Sequence, residues 1–497
     1  MTHSPAIAPR ARTLRIGLPL CQLTAGLFVV GMALGDAPAH AQTQAPAPTH
    51  PGAAPAAAPA GSAPSPSSTR SPSAFADWLE SHSDSLGSGP MPSEFELRRI
   101  LFDAVRTAAE HSPQVKQAYS NFQASLSEVD QAKGERWPQV DIGTQTKSLQ
   151  YGSNANSAPL PGNQLGVTVT TSVFDFGRIN KNIASREQSA SAAQQAHEAQ
   201  LEESAQEVVN TLVEIAKQRL VVQLSEQYLD RMQRLAAMLK EIVQVDRGRS
   251  SELTQATSRV LEAQAKRDSA QMKVRDAELN LRKLVGESHP VALPLTSTWP
   301  LQPAVLEHLL AQVEQHPSML EAQASAKAAD LQAATVKASS MPSVNWVVSA
   351  NFGKDAYGRQ QPWQTNLAAN WPLFRGGSAQ AAYKAALSRA DASRDVIDQQ
   401  RRDLTYGIRA AHQDATTLLS RADLYIQLSS ETDRVRKAFF EQWHHLGKRT
   451  LLDVLSAESE HYNNRVTEVT TRFEGYQAVF REYSQAGILS RWLERGE

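Results

Sequence analysis

The sequence is poor in the features that usually support chemistry. Cys21 is the single cysteine among 497 residues, so a chain processed beyond it has neither a disulfide nor thiol chemistry. The formal net charge is −1, which argues against a nucleic-acid partner. The chain also lacks a phosphate-binding glycine loop, a zinc-binding H-E-x-x-H and a G-x-S-x-G nucleophile elbow. We therefore expect no enzyme and no cofactor.

The histidines are poorly placed to form a metal site. His444 and His445 are adjacent, so on a helix they point to different faces, and His461 lies well away along the chain. Metal ligands in proteins converge on one point with characteristic spacings, which these residues do not have. We expect no bound metal.

Long apolar runs are absent after residue 34. The first residues have three arginines within 10–15, an apolar run over 16–34 and the small residues of Ala39-His40-Ala41. This order predicts a signal peptide over residues 1–41 with cleavage before Gln42. The alternative is a retained membrane anchor, because the run approaches the ~20 residues that a spanning helix needs.

Residues 42–92 are rich in alanine, proline and serine. Such a composition cannot bury enough apolar surface to offset the entropy lost on ordering. We predict a disordered linker between the signal peptide and the folded part.

Proline is absent from Arg178 to Val285, where Gly248 is the single glycine. Proline breaks helix interiors and glycine weakens them, so the stretch predicts two very long helices joined at Gly248. Apolar residues recur at every seventh position of the first arm, and three–four spacing with many alanines marks the second. This spacing predicts an antiparallel coiled coil whose small residues allow a close approach.

The chain also shows an internal duplication. Pro113 and Pro317 are 317 − 113 = 204 residues apart, and Gly248 and Gly447 are 447 − 248 = 199 apart. Two repeats of about two hundred residues are a duplicated subdomain rather than a short-period solenoid. We place the repeats at 93–290 and 291–497, each with a helix, two strands and a long helical hairpin.

Each repeat contains further predicted helices besides those of the first hairpin. In the second repeat we predict a long helix over Gly377–Gly447 and a returning helix from Leu452 to about Ile488. A single helix over Phe95–Arg136 and another from Ala304 to about Ser340 precede the strands. At ~1.5 Å per residue the long helices run about 105 Å, so two shorter helices stacked end to end match each one.

Four stretches alternate between apolar and polar residues with the period of a strand. They span about residues 140–147, 165–173, 344–352 and 363–371. Period-two runs of ~10 residues with aromatics near their ends suit a membrane barrel with a wet interior. The alternative is a soluble hairpin with one buried face. Four strands cannot close a barrel, since known barrels start at about eight strands, whereas three chains with four strands each would give twelve.

Two junctions and two turns carry a resemblance to a known family. Residues 172–179 (SVFDFGRI) and 372–377 (PLFRGG) each join a predicted strand to a long helix, while 248–256 (GRSSELTQA) and 447–458 (GKRTLLDVLSAE) form the helical turns. In these motifs, and in their order and spacing, the chain resembles the TolC-like outer-membrane factors from about Phe95 to Leu493. That family implies a homotrimer with a twelve-stranded β-barrel in outer-membrane lipid above a periplasmic helical tunnel. It also implies docking to a periplasmic adaptor and an inner-membrane transporter.

The resemblance carries over to named residues at the turns. Gly248, Leu253, Gly447 and Leu452 fall in the turns that imply adaptor docking. Arg449 and Asp453 match the basic and acidic positions of a gate that closes the tunnel mouth. His444 falls where some members have a tyrosine, and Ser456 falls where some have a second aspartate, which implies a weaker gate. The alternative is that Arg449 and Asp453 form a solvated pair four residues apart, worth ~0.3–0.5 kcal/mol.

The sequence thus predicts an α+β membrane protein, with a coiled-coil tunnel and four strands per chain in a shared barrel. The expected function is a passive outer-membrane export duct of a tripartite efflux pump or a type I secretion system. A soluble periplasmic coiled-coil scaffold or adaptor is the alternative, although it leaves the alternating strands and the duplication unexplained.

Overall fold

The computed structural model describes residues 86, 90–145, 164–287, 291, 293–353, 359–360 and 363–494. The signal peptide predicted over residues 1–41 lies outside this part of the chain, as does almost all of the linker predicted over 42–92. These assignments, and the repeat boundaries, stay predictions.

The described residues form nine α-helices, four β-strands and two 3₁₀ turns, at Arg247–Arg249 and Val313–Gln315. The helices and strands follow the order α1 (Glu94–His111), α2 (Pro113–Gly134), β1 (Gln139–Gln145), β2 (Gln164–Phe174), α3 (Arg178–Val245), α4 (Ser250–Val285), α5 (Leu306–Leu310), α6 (Pro317–Ala338), β3 (Ser343–Phe352), β4 (Gln364–Asn370), α7 (Ser378–His444), α8 (Leu451–Gln485) and α9 (Leu489–Glu494).

Two long helical hairpins dominate the fold, as the sequence predicts. The first hairpin is α3, of 68 residues, with α4, and the second hairpin is α7, of 67 residues, with α8. Along α4, Ala256, Ala263 and Ala270 are buried. Small residues on this seam let α4 lie close to α3.

Two predicted helices are wrong as single elements. The helix predicted over Phe95–Arg136 is divided into α1 and α2 at Ser112, whose hydroxyl accepts a hydrogen bond from the N–H of Val115 at 3.4 Å. The helix predicted from Ala304 to Ser340 is divided in the same way at His316, immediately before Pro317. Proline lacks an N–H and forces the residue before it out of the helical conformation, so each proline starts a new helix.

The helices pack in an ordered layer in each half of the helical region. In the half next to the strands, α3 packs on both α2 and α6, and α6 packs on α7. In the half that ends at the turns, α3 packs on both α4 and α8, and α8 packs on α7. The orders are α2–α3–α6–α7 and α4–α3–α8–α7, which put α7 at one edge and α2 or α4 at the other.

An irregular segment, the belt (residues 293–305), lies in the chain between α4 and α5. Trp299 of the belt is buried and stacks on Tyr476 of α8, with ring centroids 5.5 Å apart. The hydroxyl of Tyr476 also accepts the N–H of Trp299 at 2.9 Å and donates to its carbonyl at 3.2 Å. Ring stacking and hydrogen bonds therefore hold the belt against α8 of the second hairpin.

The four strands form one antiparallel sheet in the order β1-β2-β3-β4. The three strands predicted near residues 165, 344 and 363 are confirmed within a residue or two. The strand predicted from Val140 to Lys147 is observed to Gln145, and its last two residues lie outside the described part. Because neighbours in the sheet are neighbours in sequence, β1 and β4 are its edge strands.

Candidate functional surfaces at the sheet and the helical turns

One face of the sheet is apolar across all four strands. The register places Val169 of β2 opposite Val140 of β1 and Val348 of β3. It also places Trp346 of β3 opposite Leu367 of β4. In one chain this face is uncovered, with Leu367 68% exposed. Such a continuous apolar face requires a cover of lipid or protein.

The opposite face is polar. One row across it consists of Asp141, Thr168, Ser349 and Gln364. Asp141 is the one charged residue of the four described strands. The remaining polar residues are hydroxyls and amides, which suit contact with water and leave the face nearly neutral.

Aromatic side chains flank the sheet at both ends of β4. Trp363 is 70% exposed and Trp371 is 56% exposed. At the junction of β2 with α3, Phe174 and Phe176 are both exposed, and their rings pack edge to face with centroids 4.8 Å apart. Aromatic residues at the ends of an apolar band are typical of proteins at a membrane interface.

The two motifs at residues 172–179 and 372–377 each turn the chain from a strand into a long helix. At the first, the Asp175 carboxylate accepts the N–H groups of Gly177 at 3.0 Å and Ile179 at 2.8 Å, which caps α3. At the second, Gly376 and Gly377 have φ values of 58° and 82°. Glycine enters this left-handed region without strain, which lets the chain reverse from strand to helix.

At the turn of the first hairpin, the Asp246 carboxylate accepts the N–H of Gly248 at 3.0 Å. Arg249 follows, with its guanidinium 5.2 Å from the ring centroid of Trp443 on α7. Leu253 is half-buried and packs against the main core cluster. Of the predicted docking residues on this hairpin, Gly248 lies at the surface and Leu253 lies in the packing below it.

At the turn of the second hairpin, Gly447 has a φ of 62°. Thr450 then begins α8 with a capping box, in which its hydroxyl accepts the N–H of Asp453 at 3.3 Å and the Asp453 carboxylate accepts the N–H of Thr450 at 3.0 Å. Leu452 is 55% exposed beside this box. Leu452 and Gly447, the predicted docking residues of this hairpin, both lie at the surface.

The predicted gate residues have contacts within their own chain. Arg449 donates from Nε to Oε1 of Gln442 at 3.2 Å, and its guanidinium lies 4.1 Å from the ring centroid of Phe439. His444 stacks on Phe440, with centroids 5.5 Å apart. Asp453 is held in the capping box, where hydrogen bonds from Thr450 keep the pKa of its carboxyl below the ordinary value, with a smaller contribution from Arg449.

A buried ionic cluster above the turns was not predicted from the sequence. Glu458 of α8 lies between Arg231 of α3, at 3.0 Å, and Arg436 of α7, at 3.2 Å. One signal was available, because Glu458 occupies a three–four seam position between Leu455 and Tyr462. A charge at a coiled-coil seam position is unusual and indicates a buried partner.

Among the described residues, no group of three or more histidine, cysteine or acidic side chains could hold a metal ion. Among the helices formed by those residues, none combines the length and apolarity that a membrane crossing requires.

Comparisons with known proteins agree with the fold. A family model described as "Outer membrane efflux protein" matches residues 104–287 and 311–481. Protein CyaE of Bordetella pertussis is 23% identical over 340 residues, which cover 65% of this chain and 71% of CyaE. The Campylobacter jejuni CmeC outer membrane channel superposes with a TM-score of 0.70 at 13% identity, covering 84% of this chain and 94% of CmeC. The open state of the Neisseria gonorrhoeae MtrE outer membrane channel gives 0.66 at 15% identity, covering 82% of this chain and 95% of MtrE.

Proposed function

The chain belongs to the outer membrane efflux protein family, and from that premise we propose that it is a passive export duct. Three copies form a barrel in the outer membrane above a periplasmic helical tunnel. The duct serves either a tripartite efflux pump or a type I secretion system, and energy for transport comes from an inner-membrane transporter.

The single observation that carries this proposal is the four-stranded sheet with one apolar face and two open edges. In lipid, every backbone polar group needs a partner within the protein, so an open edge strand is costly. β1 and β4 run in opposite directions, because each strand is antiparallel to its neighbour. The β4 strand of one copy can therefore pair antiparallel with β1 of the next, and three copies give twelve strands.

The edges of the helical layers support the same ring. Along α4, the outward face carries Leu261, Met272 and Leu279, all more than half exposed in one chain. Their separations of 11 and 7 residues place them on one side of the helix. At the other edge, α7 exposes Leu424 and Val435 on a single face, also 11 residues apart. In the proposed ring, α4 of one copy lies against α7 of the next.

The two faces of the sheet receive different roles in this ring. The apolar face, with Leu367 and Trp346, contacts outer-membrane lipid, while the face of hydroxyls and amides lines the pore. The aromatic residues at the strand ends lie at the membrane boundaries. A nearly neutral lining suits a conduit that does not select its cargo by charge.

We assign adaptor docking to the helical turns at Gly248, Leu253, Gly447 and Leu452. The turns expose apolar side chains beyond those predicted, with Val245 92% exposed and Leu446 59% exposed. Exposed apolar side chains at the end of a coiled coil are typical of a surface that a partner protein covers. The partner proposed here is a periplasmic adaptor that connects the duct to the transporter.

We assign the gate at the tunnel mouth to Arg449, Asp453 and His444. In the closed ring these groups would face the same residues of neighbouring copies, where charge pairs can hold the mouth shut. The contacts of Arg449 with Gln442 and Phe439 keep its guanidinium in place against α7.

The experiment compares charge substitutions at two adjacent residues of β4. Leu367 belongs to the apolar face and Asn366 to the polar face. Arginine on the lipid-facing side of a barrel costs ~2–4 kcal/mol near the bilayer centre, whereas pore-facing positions tolerate it. Leu367→Arg should reduce the amount of trimer recovered from outer membranes, while Asn366→Arg should insert normally.

A soluble periplasmic scaffold would give another result. Both variants would then accumulate in the soluble periplasmic fraction at the level of the wild type, and no trimer would be extracted from membranes. That outcome would overturn the export duct and favour the scaffold.

A further inference from the structure

A buried ionic cluster joins the two hairpins close to the helical turns. Glu458 is 3% exposed, Arg231 4% and Arg436 1%. One carboxylate oxygen of Glu458 lies 3.0 Å from Nε of Arg231, and the other lies 3.2 Å from Nη1 of Arg436. The three residues belong to α3, α8 and α7, so one carboxylate connects the first hairpin to both helices of the second.

The cluster continues into further ion pairs and ring contacts. Arg436 also pairs with Asp433 at 2.6 Å, and Asp433 in turn pairs with Lys437 at 2.9 Å. Towards the sheet, the ring of Tyr462 stacks on Tyr228 of α3 with centroids 4.6 Å apart. The Tyr462 hydroxyl is 2.9 Å from the hydroxyl of Ser225. A second contact between the hairpins thus lies one turn above the ionic one.

The position of the cluster is directly above the proposed gate. Glu458 is seven residues into α8 from Leu451, about 10 Å along the helix. Between Glu458 and the turn lie Asp453 and the capping box, and the turn itself contains Arg449. A motion that separates the two hairpins as far up as this level pulls Glu458 away from Arg231.

We propose that Glu458 is a positioning residue for the mouth, because it holds the second hairpin against the first and so sets the closed resting place of Arg449 and Asp453. This inference rests on the proposed duct function. Its physical basis is that a buried arginine without a carboxylate partner costs free energy, because its charge is uncompensated. The same arginine in water does not have this cost. Removing the carboxylate therefore destabilises the closed mouth and leaves an open mouth, where Arg231 meets water, almost unaffected.

The chain provides a matched control in the same helix. Glu468 is 2% exposed and pairs with Arg465 at 3.4 Å and Arg472 at 3.5 Å, both residues of α8. Glu468→Gln also removes a buried carboxylate from between two arginines. Glu468 lies ten residues farther from the turn than Glu458, about 15 Å along α8, and Arg472 keeps a second acidic partner in Asp423 of α7 at 2.9 Å. An opening confined to the mouth therefore leaves this site buried, and the closed–open equilibrium should stay unchanged.

The test measures channel conductance by single-channel recording in planar bilayers for the wild type, Glu458→Gln and Glu468→Gln. The trimer content of each protein is checked first. Glu458→Gln should raise the time-averaged conductance of the resting channel, through a shift of the closed–open ratio on the order of tenfold or more. Amide hydrogen exchange in residues 451–458 should also speed up in Glu458→Gln. Glu468→Gln should match the wild type in both measurements.

A second variant covers the case in which Glu458→Gln does not assemble. Arg231→Gln with Glu458→Gln removes the ion pair between the hairpins and leaves Arg436 beside Asp433, so no arginine of the cluster is without an acidic neighbour. This double variant should assemble and show a smaller rise in conductance of the same sign.

The outcomes separate the two proposals. If wild-type protein forms no channel in bilayers, the duct function fails. If the wild type conducts but the Glu458 variants match Glu468→Gln in conductance and in exchange, the positioning role of Glu458 is overturned. A rise of equal size in Glu458→Gln and Glu468→Gln would also overturn it, because general loosening of α8 would then explain the effect.

Discussion

At the scale of single residues, the side chains assigned to the gate also stabilise the end of their own hairpin. The Asp453 carboxylate accepts the N–H and the hydroxyl of Thr450, each at 3.0 Å, so it caps α8 as well as carrying a charge. A variant that removes Asp453 therefore changes two things at once. Thr450 offers a way to separate them, because it takes part in the cap but carries no charge.

The first prediction compares Asp453→Ala with Thr450→Ala. Both variants lose the capping box, so both should show faster amide exchange in the first turn of α8. If the charge of Asp453 helps to close the mouth, channel conductance should rise in Asp453→Ala and remain near the wild-type value in Thr450→Ala. Equal conductance changes in the two variants would assign the effect to the cap and remove Asp453 from the gate.

The stability of the same capping box should depend on pH through the ionisation of Asp453. The pKa of its carboxyl is lowered, first by the backbone N–H and then by the hydroxyl of Thr450. A lowered folded pKa contributes stability above the ordinary carboxyl pKa, and that stability is lost as the pH falls through the folded value. Amide exchange in residues 451–454, corrected for intrinsic rates, should therefore speed up below the ordinary carboxyl pKa in the wild type and not in Asp453→Asn.

The second prediction concerns Glu202, which holds the C-terminal helix α9 on α3. Its buried carboxylate accepts the N–H of Ser490 at 3.1 Å and 3.3 Å. Burial raises the pKa of Glu202, with the Ser490 hydrogen bonds acting in the opposite direction. Glu202→Ala leaves this N–H without its acceptor, at a cost of about 1–3 kcal/mol. Amide exchange in residues 489–494 should therefore accelerate.

The raised pKa of Glu202 fixes the sign of its pH dependence. The docked state binds a proton more readily than the undocked state, so docking weakens as the pH rises from the ordinary carboxyl pKa through the raised value. Glu202→Gln keeps an oxygen that can accept the N–H of Ser490 and has no ionisable group. Exchange in residues 489–494 should lose this pH dependence in Glu202→Gln, and a persistent dependence would show that another group controls the docking.

The family resemblance in the sequence proposed Arg449 and Asp453 for the gate but did not indicate Glu458, for a physical reason. The first two lie in a motif beside a glycine turn, and turns are marked by residue types with special backbone properties. Glu458 has no turn residue beside it, and its seam position between Leu455 and Tyr462 is a weak signal, because a glutamate in a helix usually points to water. Its burial depends on Arg231 and Arg436, which lie 227 and 22 residues away in sequence. Nothing local to Glu458 specifies those partners.

At the scale of elements, long helices were predicted better than short ones. The ends of α3 and α7 follow from glycines that flank stretches without proline. The breaks at Ser112 and His316 were missed although a proline follows each residue, since proline in the first turn of a helix is compatible with a continuing apolar pattern. The strands followed from alternation, which a buried or lipid-facing side requires.

The third prediction compares the two turn glycines, which occupy equivalent places in the sequence. Gly447 has a φ of 62°, whereas the φ of Gly248 is not positive. Alanine in the left-handed region costs about 1–2 kcal/mol. Gly447→Ala should therefore lower the thermal stability of the second turn, although no atom lies within 4 Å of the added Cβ.

Gly248→Ala is the matched variant. Its Cβ would lie 3.1 Å from Oδ1 of Asp246, a flexible side chain that can shift by a few tenths of an ångström. Amide exchange of the residues around each turn provides the measurement. A larger effect at Gly248 than at Gly447 would contradict the assignment of the strain to backbone conformation.

At the scale of the whole molecule, the described part of the chain contains three layers of four elements. They are the sheet β1-β2-β3-β4, the helices α2–α3–α6–α7 and the helices α4–α3–α8–α7. The sequence predicted the elements but not their order within a layer, because side-by-side placement depends on contacts between distant segments. With the order known, the edges can be named, and the exposed apolar residues of α4 and α7 lie on them.

The last prediction tests these edges through assembly. Leu279 lies on the outward apolar stripe of α4 and is 59% exposed in one chain. If α7 of the next copy covers it, Leu279→Glu buries an unpaired carboxylate at that contact, which is strongly unfavourable. The mass in detergent, measured by light scattering, should therefore fall from that of three chains towards that of one.

Gln255→Glu is the control, because Gln255 is also exposed on α4 but lies about 120° around the helix from the stripe of Leu261, Met272 and Leu279. It adds the same charge to the same helix, so a general effect of charge would appear in both variants. Retention of the full trimer by Leu279→Glu would mean that the outward face of α4 remains in water. The ring would then have to close through the sheet and other helices, with α4 outside the contact between copies.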